Sequence, residues 1–229
     1  MEVFKWFTDR FGSLWSYQFY IPASLIAIVL HEISHGFVAY KLGDPTARAQ
    51  GRLSLNPLRH IDPFGLIMLV VVGFGWAKPV HVDMRYFKNP KRGMALTAFA
   101  GPVSNLLITL VCMLLYAATS AIPGDVAGWL RTLFIVTAMR SLGLGLFNML
   151  PIPPLDGSKV LGSFLPDRVY YTILRYEQYG MLLLMFVMFF TDVGRYLSSF
   201  VLDALIAVAG WLGVQMQFVY ELLVFLYSG

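Results

Sequence analysis

The chain has 229 residues, of which 58% are hydrophobic and only 13% charged, and its mean hydropathy of +0.67 excludes an ordinary water-soluble globular domain. The formal net charge is +4, but the basic residues gather in loops between apolar segments, a pattern that argues against a nucleic-acid partner. The single cysteine, Cys112, excludes an internal disulfide and a cysteine metal cluster.

Five apolar runs approach the roughly 20 residues that a helix needs to cross a bilayer. They lie at 18–40, 94–119, 130–150, 178–192 and 199–227. The pattern predicts an all-α polytopic membrane protein, a bundle of about five to six transmembrane helices in a lipid bilayer. The sequence shows no internal repeat, and the pattern supports one compact helical bundle.

The first apolar run carries an unusual polar motif, His-Glu-x-x-His, at residues 31–35. Ionisable side chains inside a membrane helix are costly unless something compensates them. His31 and His35 are four residues apart, so one helical turn places both imidazoles on the same face, where they can bind one metal ion. Glu32 would then stand beside the metal as a general base. The alternative is a pair of hydrogen-bonded histidines inside the bundle.

The connection at 41–93 is rich in basic residues, which favours the cytoplasmic side of the membrane. These residues are Lys41, Arg48, Arg52, Arg59, Lys78, Arg85, Lys88, Lys91 and Arg92. The connection at 151–177 adds three more basic residues, whereas the connections on the opposite side carry few. We therefore expect a multi-pass membrane protein with these connections, and the carboxyl end of the His-Glu-x-x-His helix, on the cytoplasmic side and the amino terminus outside.

The apolar run at 64–77 is too short for a comfortable crossing and ends in a glycine-rich stretch. It predicts a short re-entrant or β-hairpin element around 64–80, shielded by protein or lining a wet cavity.

A catalytic zinc commonly has a third protein ligand, and Asp156 is the best candidate for it. The prolines of PIPPLDG at 151–157 prevent regular helix and can turn the chain back toward the bundle. The alternative reading of this segment is an ordinary surface turn.

Three further polar residues call for an interpretation. His60 and His81 lie in basic connections and are interpreted as solvated or locally bonded loop histidines. Arg140 lies near the middle of an apolar run, so it is expected to face the bundle, a water-filled cleft or a carboxylate.

Taken together, the motifs resemble the site-2 protease family of intramembrane zinc metalloproteases, in its small bacterial and archaeal branch without an evident PDZ domain. The resemblance rests on HEISH at 31–35, GPVSN at 101–105 and NMLPIPPLDG at 148–157, and extends to GRLSLNP at 51–57, HIDP at 60–63 and GFGWAKPV at 73–80.

The resemblance implies roles for six residues. His31, His35 and Asp156 would be the ligands of one Zn²⁺ per chain, and Glu32 the catalytic base. Asn148 would orient or polarise the scissile carbonyl. Asn105 is a second candidate for that role, and its alternative is close helix packing.

The predicted function is hydrolysis of peptide bonds in or near transmembrane segments of client proteins by zinc-activated water. The single domain would span 1–229, with a catalytic core at about 18–160 and accessory helices at about 175–229. A strand edge near 73–80 would hold the unwound substrate, and the alternative is a structural hairpin that only fills the bundle. Regulation is expected from a membrane partner, prior trimming of the substrate or opening of the bundle. The competing hypothesis is a non-catalytic metal-binding protein or transporter.

Overall fold

The structure is a computed structural model that describes residues 14–65 and 78–228. Within these residues it has helices, turns and loops and no β-strand. In chain order the α-helices are α1 (Leu14–Lys41), α2 (Thr46–Ala49), α3 (Pro90–Thr119), α4 (Asp125–Asn148), α5 (Asp156–Gly162), α6 (Asp167–Phe190), α7 (Val193–Trp211) and α8 (Gln215–Ser228). Short 3-10 turns at Pro57–Arg59 and Met84–Tyr86 lie between α2 and α3.

Four of the described helices are long and apolar enough to cross a membrane. They are Gln18–Lys41 within α1, and the whole of α3, α4 and α7. Helix α8 is apolar but shorter, at Gln215–Leu226. The predicted class, an all-α polytopic membrane protein, is therefore confirmed.

The apolar run at 199–227, which hydropathy predicts as one span, is divided between α7 and α8. The break contains Gly213, whose φ of +72° lies in the left-handed region that favours glycine and commonly ends a helix. The run at 178–192 belongs to the longer helix α6. Hydropathy reports the apolar composition of a run but not a local change of backbone direction, so it merged two helices into one.

The re-entrant or β-hairpin element predicted around 64–80 falls largely on residues 66–77, which lie outside the described residues. On its described flanks, the Lys78 N–H donates to the His60 carbonyl over 2.8 Å.

The chain divides into two compact units. The first comprises residues 1–27, 106–143 and 198–229. Its described core joins α1, α4 and α8 through Phe19, Val136 and Phe225, with the two phenylalanine rings edge to face at 6.0 Å. A half-buried ion pair, Arg131 Nε to Glu221 Oε1 at 2.8 Å, ties α4 to α8.

The second unit comprises residues 28–105 and 144–197, and it contains every predicted site residue. These are His31, Glu32, His35, Asn105, Asn148 and Asp156. Inside this unit, Lys91 at the start of α3 donates to the Leu165 carbonyl before α6. Lys159 of α5 pairs with Glu177 of α6 at 3.0 Å. These contacts link α5, α6 and the first turn of α3.

Candidate metal centre

His31 and His35 lie one turn apart on α1, as their spacing predicts. Both are buried, with 4% and 8% of their surface exposed, and their rings are nearly perpendicular at 89°. Their Nε2 atoms are 3.0 Å apart. The two imidazoles therefore point their Nε2 atoms at one location.

Asp156 completes a three-residue cluster from a distant part of the chain. Its Oδ2 atom lies 3.2 Å from His31 Nε2 and 3.2 Å from His35 Nε2. Asp156 is the first residue of α5, and Gly157 beside it packs so tightly that a Cβ there would lie 2.2 Å from the Met149 carbonyl oxygen. This close approach fixes where α5 begins and hence where the carboxylate lies.

The second ring nitrogen of each histidine is also bonded. His31 Nδ1 lies 2.9 Å from Asn105 Oδ1, and His35 Nδ1 lies 2.7 Å from the Thr97 carbonyl oxygen. A carbonyl oxygen only accepts, so Nδ1 of His35 is the donor, and its neutral ring then has a lone pair on Nε2. The same assignment for His31 follows if the Asn105 oxygen faces the ring, as it does here.

Three electron-rich atoms thus converge without a donor between them. Asp156 Oδ2 is buried and has no hydrogen-bond partner. A proton shared by two of these atoms would leave the third unsatisfied, whereas one metal cation would satisfy all three. Tetrahedral Zn²⁺ with ligand bonds of about 2.0–2.1 Å has ligand atoms about 3.3 Å apart, close to the observed 3.0 and 3.2 Å. The donor set and its dimensions fit zinc.

Helix α3 provides the wall behind the two imidazoles. Pro102 lies inside this helix and has no N–H, which opens the hydrogen-bond ladder in the preceding turn. Thr97, whose carbonyl accepts from His35, lies near this opening. Gly101 faces the rings directly, because a Cβ on it would lie 2.5 Å from His35 Cε1 and 2.6 Å from His31 Cε1.

Replacing Gly101 with Ala should therefore push the two imidazoles apart and weaken zinc binding by about tenfold or more, comparable to the loss of an outer partner of a metal ligand. Zinc titration of the purified, metal-depleted protein measures this. Gly128→Ala in α4 is the matched control, since its nearest neighbour would be 3.8 Å away and alanine favours helix. Wild-type zinc affinity in Gly101→Ala would contradict the described packing.

Glu32 follows His31 on α1 and is not one of the three clustered ligand residues. Its Oε2 accepts a hydrogen bond from the Val80 main-chain N–H over 2.9 Å. Val80 belongs to the loop before α3, so residues far apart in the chain meet at this carboxylate. The contact leaves the second oxygen, Oε1, without a hydrogen bond to any residue that the structure describes.

The two predicted asparagines occupy different positions. Asn148 ends α4 half-buried, and its Nδ2 donates to the Leu144 carbonyl of its own helix over 3.0 Å. Asn105 is completely buried beside His31. The Asn105 amide oxygen faces the His31 imidazole, and a carbonyl-polarising role for this residue stays a prediction.

The three other polar residues considered in the sequence are His60, His81 and Arg140. His60 is locally bonded, as expected, with Nε2 2.8 Å from the Ser54 carbonyl oxygen, but it is buried instead of solvated. His81 is exposed. Arg140 is exposed, and its guanidinium lies over the ring of Tyr20, 4.5 Å from the ring centroid, so the group that it contacts among the described residues is an aromatic ring and not the carboxylate that was one of the expectations.

Sequence reasoning missed the Nδ1 partners of the two histidines and the Val80 contact of Glu32. One signal was available for the first, because metal-binding histidines usually donate their other N–H to an oxygen and Asn105 is a polar residue in an apolar helix. A main-chain contact such as that of Val80 leaves no mark on residue type.

Known proteins resemble this chain over most of its length. A sequence profile described as peptidase family M50 matches residues 120–191. The chain is 39% identical to the candidate zinc metalloprotease YwhC of Bacillus subtilis, over 79% of this chain and 84% of the relative. It is 31% identical to the candidate zinc metalloprotease Rip2 of Mycobacterium tuberculosis, over 72% of this chain and 64% of the relative. It is 33% identical to the candidate zinc metalloprotease MJ0611 of Methanocaldococcus jannaschii, over 60% of this chain and 68% of the relative. No solved structure matches.

Proposed function

Because this chain belongs to peptidase family M50, the site-2 protease family of metalloproteases, we propose that it is an intramembrane zinc endopeptidase. Its substrates are client membrane proteins or peptides, cut in or near a transmembrane segment. The observation that carries the proposal is the convergence of His31, His35 and Asp156 beside Glu32, on a helix apolar enough to cross a membrane.

The three clustered side chains would hold one Zn²⁺ per chain through two imidazole Nε2 atoms and one carboxylate oxygen. When bound, zinc supplies Lewis-acid polarisation and makes water a stronger nucleophile near neutral pH. The Nδ1 bonds to Asn105 and Thr97 hold the rings in the tautomer that leaves Nε2 free for a metal. We assign Asn105 this positioning role, in addition to its candidacy as a carbonyl-polarising group.

Glu32 would take the proton of the attacking water and pass it to the leaving amine. The Val80 N–H holds one carboxylate oxygen, and no other residue of the described part of the chain bonds the second oxygen, which would make this transfer. Asn148 would orient or polarise the scissile carbonyl through an amide N–H. One of its two N–H groups is engaged by Leu144, and an amide nitrogen has a second to offer.

A helical substrate must unwind before its carbonyl can reach this site. The predicted element around 64–80 would hold the extended peptide by main-chain hydrogen bonds, and its described end at Val80 contacts Glu32, which supports that location. The loop charges favour a site toward the cytoplasmic side, and the resemblance to the small bacterial and archaeal branch of the family implies a prokaryotic cell membrane. The chain would act as one domain, with a core at about 18–160, and a regulatory membrane partner would control access.

Metal analysis and cleavage of a model transmembrane substrate test the proposal together. The purified chain should hold about one zinc, as a site with three protein ligands implies, and should cut the substrate within or beside its apolar segment. Chelation should abolish cleavage, and added Zn²⁺ should restore it. Cleavage that persists in metal-free protein would overturn the zinc mechanism, and a zinc-loaded chain that cuts no membrane substrate would favour a carrier or scaffold.

A further inference from the structure

The loop segment at 78–83 runs beside the carboxyl-terminal half of α1 and is held by main-chain donors. Lys78 N–H donates to the His60 carbonyl over 2.8 Å. Val80 N–H donates to Glu32 over 2.9 Å, and Asp83 N–H donates to Asp44 Oδ2 over 2.7 Å. The segment contains no regular helix or strand, so these three hydrogen bonds, and not a secondary-structure ladder, hold its backbone in position.

Asp44 is the anchor at the far end of this segment. It is completely buried, and a buried carboxylate is costly unless it is hydrogen-bonded. Its Oδ1 accepts from the main-chain N–H of Thr46 over 2.9 Å and from the Thr46 hydroxyl, while Oδ2 accepts from Asp83. Among the residues that the structure describes, no cation pairs with Asp44. Both oxygens therefore accept hydrogen bonds, Oδ1 from the nearby Thr46 and Oδ2 from the distant Asp83, and these bonds restrict rotation of the carboxylate.

Asp83 bonds Asp44 through its main-chain N–H, whereas its side chain bonds Arg85. The Asp83 carboxylate is half-buried and accepts hydrogen bonds from the exposed Arg85 guanidinium, 2.6 Å at the shortest. These bonds lower the pKa of Asp83. The link from Asp44 thus runs through the backbone of 80–83.

We propose that Asp44 is a positioning residue for the catalytic base: it fixes the segment at 80–83 so that the Val80 N–H holds Glu32 in place. The inference rests on the proposed function, since it assigns Glu32 the role of base. A base must be held within about 0.5 Å of its productive position. One fixed oxygen restricts rotation of the Glu32 carboxylate and presents the other oxygen to water.

Packing supports the same arrangement. A Cβ placed on Gly36, one turn beyond Glu32 on α1, would lie 3.3 Å from Val80 Cγ1. The Val80 side chain therefore lies against the helix that carries the base, and moving the segment would disturb both the apolar contact and the hydrogen bond.

The test compares wild type, Asp44→Asn, Val80→Pro and the double variant. Asparagine can still accept from Thr46 through its oxygen, but its NH₂ cannot accept from Asp83. Proline at 80 removes the N–H that Glu32 accepts. Loss of a hydrogen bond to a charged group should reduce kcat by about tenfold to a hundredfold, with KM within about twofold of wild type. Zinc content and the visible spectrum of Co²⁺-substituted protein should not change.

Non-additivity distinguishes positioning from a general loss of stability. If Asp44 acts through Val80, the double variant should be no slower than the slower single variant. Additive losses, or a zinc content that falls with kcat, would overturn the proposal. Asp192→Asn, an exposed aspartate paired with Arg195, controls for the change of charge and should retain wild-type kcat.

Hydrogen exchange provides a test that depends on no variant. In the wild-type protein the Val80 and Asp83 amides should exchange slowly although they lie in a loop, and fast exchange at both would overturn the proposal. Two other results would overturn the proposed function separately. They are a wild-type protein that holds no zinc, and a Glu32→Gln protein that still cleaves at the wild-type rate. Wild-type kcat in a folded Asp44→Asn protein, with zinc and Glu32 both required, would refute the positioning role alone.

Discussion

Replacing Glu32 with Gln should leave a folded, zinc-containing protein whose cleavage of a transmembrane substrate falls by about a hundredfold to ten-thousandfold, the usual contribution of general acid–base catalysis. Glutamine has nearly the same shape, and its Oε1 can still accept from the Val80 N–H that Glu32 accepts. The amide cannot take a proton from water at neutral pH. The change therefore removes the base and leaves its position intact.

The measurement is single-turnover cleavage with zinc content determined on the same samples, so that chemistry is separated from substrate binding. Glu177→Gln is the matched control, because it removes another carboxylate of the same unit, one that pairs with Lys159 outside the cluster. Its cleavage rate should stay close to wild type. A well-folded Glu32→Gln protein that cleaves at the wild-type rate would disprove the proposed mechanism.

Replacing Asp156 with Ala should abolish tight zinc binding. The substitution removes one of three converging ligands and the only negative charge among them, so the zinc Kd should rise by about a hundredfold or more, beyond the usual effect of an outer partner. Cleavage should be lost with the metal. Zinc should also stop stabilising the protein against heat, because a ligand stabilises the folded state by RT ln(1 + [L]/Kd).

Thermal unfolding with and without Zn²⁺, together with direct zinc titration, measures both effects. Wild type at a zinc concentration of about 100 Kd should gain about 2.7 kcal/mol. Asp167→Ala serves as the control, since Asp167 also begins a helix but is exposed and pairs with Lys91 at 3.1 Å. Equal zinc affinity in Asp156→Ala and wild type would remove Asp156 from the ligand set.

Much of the fold could be predicted because hydropathy and helical periodicity are local properties. The apolar runs near 18–40, 94–119 and 130–150 correspond to α1, α3 and α4 within a few residues at most ends. The run at 199–227 shows the limit of this reasoning. Gly213 adopts a left-handed conformation there, and nothing in apolar composition distinguishes a continuous helix from two helices with a glycine between them.

The positions of the two histidines followed directly from the sequence, because a spacing of four residues on a helix brings two side chains to one face whatever surrounds it. The candidacy of Asp156 could also be inferred, from ligand chemistry and the nearby prolines. Its distance of 3.2 Å from both imidazoles could not, because that depends on how a loop about 120 residues away returns to α1.

The partners that hold the site in place were decided by the tertiary structure alone. Asn105 and the Thr97 carbonyl reach the histidines because α3 packs against α1 at Gly101. Val80 reaches Glu32 through a main-chain N–H, a group that every residue except proline carries. The sequence thus specified the reactive side chains through local spacing, whereas their orientation arose from long-range contacts that have no period and, for backbone donors, no residue preference.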